Sequence, residues 1–457
     1  MHAHSLVKAP GDPRPPVGLP PMVVYAGYGV LCLAPLILSA LQAQPARNYF
    51  RELSAGLIMV GYVMTLLQFL LSGRFEWLSG RIGIDRTMRF HQVTSWAILV
   101  FIVTHPLLYI APILYPISTD ALATLARMFA SQHFRTGVVA WLLMVLLVPI
   151  AIFRDRIPIR YELWRLSHGL FAIAIAVFGT HHTLRVGSYS GNQWLAAFWI
   201  VATILALLAM LQIYVLKPLL QLREPYRVVS NRKVAHRMWE IIVEPARGEA
   251  MRFAPGQFVW LNLGHLTFSL TEHPFSISSA PVDRPRIAFT IKESGDFTSG
   301  IGSIAPGTRA YLDGPHGNFT VARRDTKGIV FIAGGVGLAP IMGMLRQLKA
   351  ERYPHPLRLI YGNRIETQIL YRQEIETLKD VLDVEVHYVL SEPPAGWKGP
   401  VGELTPDVVD KCLAGVRGKE WLFFVCGPPS MMTSIERSLI ERGTARARIV
   451  SERFKYG

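Results

Sequence analysis

The chain has 457 residues, 51% of them hydrophobic and only 17% charged, and a formal net charge of +15. That length leaves room for about two to four domains. The positive charge would suggest nucleic acid in a soluble protein, but much of it is arginine in short loops between apolar runs, where it sets orientation in a bilayer; no zinc-finger, basic-zipper or aromatic-basic pattern accompanies it. Cys32, Cys412 and Cys426 are too few and too scattered for a disulfide framework or an iron–sulfur cluster.

In chain order, residues 1–21 are rich in Pro and Gly and read as a tail without fixed structure. Six apolar runs follow, at residues 22–42, 53–71, 90–114, 137–153, 163–182 and 194–215, each about long enough to span a bilayer. Arginines alternate between the connections. Arg74, Arg81, Arg86 and Arg89, then Arg154, Arg156 and Arg160, then Lys217 and Arg223 mark one side as cytoplasmic, with a smaller set (Arg47, Arg51, Arg127, Arg135, Arg185) opposite. The third and fifth runs then point the same way, outward, in an integral membrane protein of the plasma or inner membrane.

Those two runs carry four matched histidines. His105 lies 14 residues after His91 and His182 lies 14 after His168, a spacing that returns to nearly the same helix face roughly 21 Å further on at about 1.5 Å per residue. Polar groups at membrane depth are costly and tend to be functional. Two such helices side by side offer imidazole pairs at two depths, His91 with His168 inside and His105 with His181 or His182 outside, which is the axial clamp for two b-type haems. Arg86, Arg89 and Arg165 inside, and Arg47, Arg51 and Arg185 outside, are available to haem propionates.

From about Arg223 the texture becomes β-rich, with segments at 226–229, 238–243, 258–263, 286–291 and 309–312 separated by Pro255-Gly256, Pro306-Gly307 and Asp313-Gly314-Pro315; this fits a small antiparallel barrel. From Gly328 strand, glycine turn and helix alternate (329–333, 340–351, 357–361, 374–378, 384–389, 421–425), as in a parallel α/β domain. The domains expected are therefore the tail 1–21, a six-helix bundle 22–220, a barrel 221–324 and an α/β domain 325–457.

Motifs in this half carry chemistry. His273-Pro274-Phe275-Ser276 offers backbone, hydroxyl and apolar groups to a flavin edge. Lys292 and Gly295-Asp296-Phe297-Thr298 supply a cation, a tight turn and a hydroxyl for a pyrophosphate. Gly334-Gly335-Val336-Gly337-Leu338-Ala339-Pro340 follows a strand and opens a helix, aiming amides at a dinucleotide phosphate. Arg364, after the next strand, suits a ribose 2′-phosphate and favours NADPH over NADH, although Glu366 beside it argues for a free hydroxyl. Cys426-Gly427 follows another strand and brings a thiol to the nicotinamide; no histidine base neighbours it in sequence, so positioning is the better reading.

The order His-Pro-Phe-Ser, Gly-x-x-Thr, Asp-Gly-Pro-x-Gly, Gly-Gly-x-Gly-x-x-Pro, Cys-Gly-Pro-Pro-x-Met and a near-terminal Glu-Arg-Phe resembles the ferredoxin-NADP reductase type of flavoprotein. With the bis-histidine membrane half, the chain from about residue 22 resembles the NADPH oxidase and ferric reductase superfamily. The resemblance implies FAD on His273 to Ser276, the nicotinamide dinucleotide on the glycine loop and Cys426, and an aromatic, Phe454 or else Tyr456, stacked on the flavin. It also implies a spacing of 13 for the fifth-helix histidines, which selects His181 where helix geometry prefers His182; Gly179 would loosen the helix there, and His181 is taken as the ligand. The implied activity carries electrons from cytoplasmic NAD(P)H through FAD and two haems to an extracytoplasmic acceptor, either oxygen (giving superoxide) or a ferric chelate. FAD is required because a hydride carries two electrons and a haem accepts one. A protein acceptor outside is a further possibility. The alternative is a membrane-anchored reductase serving a protein partner.

Overall fold

The computed structural model describes residues 18–45, 47–111, 121–321, 326–416 and 420–453. The expected tail up to residue 17, and both Phe454 and Tyr456, lie outside them. The chain divides into two compact units, one of membrane helices up to Lys217 and one from Pro218 onward.

The first unit contains six helices long and apolar enough to cross a membrane: α1 (Pro21–Ala40), α2 (Tyr49–Leu67), α3 (Ile84–Ile110), α4 (Arg135–Ile152), α5 (Tyr161–Val186) and α6, which starts at Gln193 and runs through a π-helical turn, Gln212–Leu216. Side-chain caps start two of them. The Asn48 side chain accepts from the Phe50 amide at 2.9 Å, and that of Asn192 accepts from Trp194 and Leu195, satisfying amides that a helix start leaves open. α3 begins earlier than its apolar run because Asp85, Arg86 and Arg89 continue the same helix.

These helices are apolar on every side, as membrane spans are. Leu142 and Leu146 on α4, Leu170 and Val177 on α5, and Ile204, Leu205 and Leu208 on α6 remain exposed to face lipid, whereas Val63, Ile98, Ala176, Leu195 and Trp199 are buried between helices. α2 packs on α3, and α4 packs on both α3 and α5. At Gly61 a Cβ would lie 3.0 Å from that of Phe101 on α3, so the missing side chain lets α2 and α3 close up.

The second unit starts with a six-stranded antiparallel sheet: β1 (Tyr226–Ala235), β2 (Met238–Pro245), β3 (Phe258–Leu263), β4 (His273–Ser276), β5 (Ile287–Lys292) and β6 (Arg309–His316), in the order β4-β3-β6-β1-β2-β5. Val228, Ile241, Val243, Val259, Leu261, Phe289 and Ile291 fill its core. A parallel five-stranded sheet follows, ordered β11-β10-β7-β8-β9, from β7 (Ile329–Gly334), β8 (Leu357–Asn363), β9 (Val384–Leu390), β10 (Leu422–Cys426) and β11 (Ile449–Ser451). Its helices are α7 (Leu338–Ala350), α8 (Arg372–Leu378), α9 (Pro406–Cys412) and α10 (Pro429–Glu441). The first five residues of β7 are all buried, as a parallel strand covered on both faces requires.

The fold is thus a six-helix membrane bundle followed by an antiparallel barrel-type sheet and a parallel α/β domain.

Candidate functional site

The inner histidine pair faces across the gap between α3 and α5. The ring centroids of His91 and His168 are 6.4 Å apart, with planes at 45°. Two imidazoles gripping one metal through Nε2, each at roughly 2.0–2.1 Å, hold their centroids about 6.3 Å apart. Both rings also carry a buried Nδ1 with no hydrogen-bond partner among the described residues, a feature separate from the Nε2 that would meet a metal. Among the described residues no three His, Cys, Asp or Glu side chains gather around one point. The donor set therefore suits a porphyrin, which brings four nitrogens of its own, better than a bare ion.

At the other end of these helices, His105 and His182 are the candidate outer pair. Ser54 of α2, fully buried, donates to the His105 carbonyl at 2.9 Å, so its Oγ, 2.8 Å from Nδ1, is left to accept from the ring. This hydrogen-bond pattern assigns the proton to Nδ1 and leaves Nε2 as the ligand atom. His182 lies within electrostatic reach of His105, and its buried Nδ1 also lacks a partner among the described residues. Gly137 of α4 makes room for it, because a Cβ there would lie 2.5 Å from the His182 ring. His181 points elsewhere. It is exposed, and its Nδ1 meets Thr136 Oγ1 at 3.1 Å.

The geometry therefore favours His182 over the expected His181 as the candidate ligand. Gly179 does not loosen α5, which is continuous from Tyr161 to Val186; it instead accommodates the Tyr62 ring, which a Cβ would approach to 2.5 Å. With the helix regular, the 14-residue step keeps His182 on the face of His168.

In the soluble unit, β4 presents His273, Pro274 and Phe275 half-buried and Ser276 buried. The His273 ring stacks on Phe297 at 4.3 Å, and Phe275 lies nearly parallel to Phe297 at 6.3 Å, making an aromatic wall. Lys292 ends β5, exposed. At the turn after it, the amides of Ser294 and Gly295 donate to Thr298 Oγ1 at 2.9 and 3.0 Å. Those two donors and that hydroxyl thus satisfy one another within the turn.

The glycine loop meets the Cys426 loop backbone to backbone. A Cβ on Gly337 would lie 2.3 Å from the Cys426 carbonyl, and one on Gly427 would lie 3.1 Å from Gly334. Gly335 takes φ +55, the left-handed region that glycine enters freely, and nothing crowds its open side. Pro340 is buried in the first turn of α7, whose N-terminus therefore opens directly off this cradle. Cys426 is 1% exposed. Burial, reinforced by the charge of Glu452, pushes its thiol well above the ordinary range, so it is a neutral wall group and no thiolate nucleophile.

Several contributors carry no motif. Ser54 and Gly137 lie far in sequence from the histidines they serve. Glu452, 5% exposed, fills the space above Gly317, where a Cβ would come within 2.4 Å of its carboxylate. Glu392 pairs with Arg364 at 3.2 Å, while Glu366 is engaged by Arg372. The partner of Arg364 is invisible until β8 and β9 are placed in register, Asn363 beside Leu390.

Three family profiles match the chain: a ferric reductase like transmembrane component over residues 57–179, an FAD-binding domain over 228–318 and an oxidoreductase NAD-binding domain over 331–437. Ferredoxin–NADP reductase B of Sorangium cellulosum is 32% identical over 241 residues, 50% of this chain and 98% of that protein. NADH-cytochrome b5 reductase 1 of Candida albicans is 31% identical over 163 residues, 35% of this chain and 55% of that protein. The chain thus spans little more than half the length of the cytochrome b5 reductases it matches. Among solved structures, the ferredoxin reductase in carbazole 1,9a-dioxygenase aligns over 51% of this chain and 69% of its own, at 25% identity and a TM-score of 0.46.

Proposed function

The chain belongs to the NADPH oxidase and ferric reductase superfamily, and from that premise we propose that it carries electrons from a cytoplasmic nicotinamide dinucleotide, by way of FAD and two b-type haems, to an acceptor across the membrane. It is an integral membrane oxidoreductase with FAD-binding and NAD-binding domains. The observation that carries the finer reading is the pair of histidine levels on α3 and α5, with the 6.4 Å separation of His91 and His168. His91 and His168 would hold the inner haem, and His105 and His182 the outer one. Flavin and haem together supply the conversion of a two-electron hydride donor into single-electron transfer.

The residues present divide the remaining work. His273, Phe275 and Phe297 form the flavin wall, the backbone of Gly334 to Gly337 and the start of α7 receive the dinucleotide phosphates, and Cys426 closes the nicotinamide pocket. The arginine-rich connections at 74–89 and 154–160 orient the dinucleotide side inward. His105 and His182 would hold the outer haem, which would supply one-electron reduction of an acceptor such as oxygen or a ferric chelate. Arg51, at the start of α2, favours an anionic species there, whereas Arg47 is already paired with Glu52 at 3.0 Å.

The dinucleotide is read as NADH. Arg364 is already engaged by Glu392, a carboxylate that repels a 2′-phosphate and accepts from a free ribose hydroxyl. Glu392→Gln is expected to raise kcat/KM for NADPH by about tenfold, roughly the effect of removing one unfavourable charge contact; equal use of both dinucleotides by the unsubstituted protein would count against this assignment.

Sidedness tests the reading as a whole. In proteoliposomes with the soluble domains facing out, added NADH should reduce a ferric chelate trapped inside. Reduction confined to chelate on the NADH side would instead support the second reading, favoured by the names of the ferredoxin and cytochrome b5 reductases it matches: a membrane-anchored reductase passing electrons to a protein carrier.

A further inference from the structure

A buried polar cluster joins the antiparallel sheet to the α/β domain, and nothing in the reading above uses it. Glu240, in the middle of β2, is 2% exposed. It accepts from Arg232 Nε at 2.7 Å and from the Tyr371 hydroxyl at 2.7 Å, and lies 3.7 Å from Arg346 of α7. The Tyr371 hydroxyl also meets Thr290 of β5 at 2.7 Å, where it can only accept, since its proton goes to Glu240. Arg346 grips Glu374 of α8 through two parallel bonds, 2.6 and 2.7 Å, and its third nitrogen donates to the Ser278 carbonyl at 2.8 Å. Its guanidinium lies 4.8 Å from the centre of the Tyr371 ring. Two arginines and two glutamates balance.

Two features mark this as more than a surface ion-pair set. Tyr371 sits at φ +50, ψ +30 as the residue that starts α8, a left-handed conformation uncommon for a bulky side chain; the hydroxyl bonds to Glu240 and Thr290 are what it gains there. The charges are also committed. Burial opposes the charge on Arg346, but hydrogen bonds to Glu374 and the fields of Glu374, Tyr371 and Glu240 hold its guanidinium above the ordinary range. Burial and the charge of Glu240 push the Tyr371 phenol up, so it stays a donor.

What the cluster fixes follows from where it attaches. Ser278 comes two residues after β4, the strand of the flavin wall. One turn before Arg346 on α7, a Cβ on Gly343 would lie 2.9 Å from the Ser279 carbonyl and 3.0 Å from that of Ile277, so α7 lies directly on this backbone. The same helix begins at the glycine loop. One rigid rod therefore has the dinucleotide cradle at its N-terminus and the continuation of the flavin strand bolted to its middle.

We propose that Arg346 and Tyr371 are positioning residues for hydride transfer: they set the register between the nicotinamide pocket and the flavin wall by locking α7 against Ile277–Ser279. The step served is transfer of one hydride, two electrons and one proton, from the reduced nicotinamide to the flavin, with a second proton drawn from solvent. The inference rests on the dinucleotide-to-flavin part of the proposed function alone, so it stands or falls separately from the haem assignments.

The test uses the full-length holoprotein in detergent, with Tyr371→Phe and Arg346→Lys. Anaerobic stopped-flow with saturating NADH measures flavin reduction; NADH dissociation constant, FAD content, dithionite reduction of the flavin, and hydrogen exchange at residues 277–279 are measured alongside. The expected result is a fall in the limiting reduction rate, about tenfold for Arg346→Lys and less for Tyr371→Phe, consistent with the sensitivity of rate to sub-ångström placement. FAD content, NADH affinity within threefold and dithionite reduction should be retained, while exchange at 277–279 rises. A limiting rate within twofold of the parent in both variants would overturn the proposal, as would a loss that lies wholly in NADH affinity. Loss of FAD from both variants would also overturn it, by making the cluster a folding element only.

Discussion

Gly137 and Ser54 shape the proposed outer level, one against the His182 ring and the other against His105. A methyl at residue 137 would lie 2.5 Å from the His182 ring, so Gly137→Ala is expected to cost about 1–3 kcal/mol of overpacking or to displace the imidazole; the check is a changed or lost outer-haem spectrum with the inner one retained. Ser54→Ala removes the nearer acceptor of the His105 Nδ1 proton, leaving the Ser54 carbonyl at 3.3 Å, and should shift the midpoint potential of one haem and leave the other unmoved. The two adjacent histidines separate cleanly: His181→Leu should keep both haems and His182→Leu should lose the outer one, read as haem per protein. At Cys426 the sign of the pH effect is fixed by burial. The folded state holds the thiol neutral above its ordinary value of 9.0, so this group leaves stability unchanged below that pH and lowers it as pH rises beyond. Melting temperature at pH 7 to 10, compared with Cys426→Ser, checks it.

Helix periodicity alone favoured His182, and the structure follows periodicity because α5 is regular through Gly179. The family spacing, which selects His181, carries no information about what this glycine is for. Its reason lies on another helix, at Tyr62, whose hydroxyl donates to the Ala176 carbonyl and meets Thr180. Gly179→Val is therefore expected to break the α2–α5 contact rather than straighten a kink, with a loss of thermal stability and a shifted spectrum at both haems. The spans themselves were legible, since apolar runs of this length have few other readings, and so were the strands of the parallel sheet. β11 was not, because three residues are too short for any period and it exists only by pairing with β10. The bonding inside the Gly295 turn is hidden from the sequence for a similar reason. Sequence cannot say whether an amide is free or already bonded to Thr298.

Across the whole molecule, chemistry was easier to read than its supports. Motifs announce groups that touch a cofactor; the groups that aim them, such as Ser54, Gly137, Glu392 and the Arg346 cluster, come from distant segments and signal nothing locally. Within the soluble unit this matters most, because the flavin wall and the dinucleotide cradle belong to different sheets and share α7 as their common reference. In the membrane unit the account depends on two histidine levels separated by apolar helix, which keeps water from the interval between them. The most direct measurement is the dithionite-reduced spectrum and haem content of the purified protein and of His91→Leu and His105→Leu. The account expects about two b-type haems per chain, falling to one of spectrally distinct kind in each variant. A protein showing flavin bands alone, or variants with unchanged haem content, would contradict it.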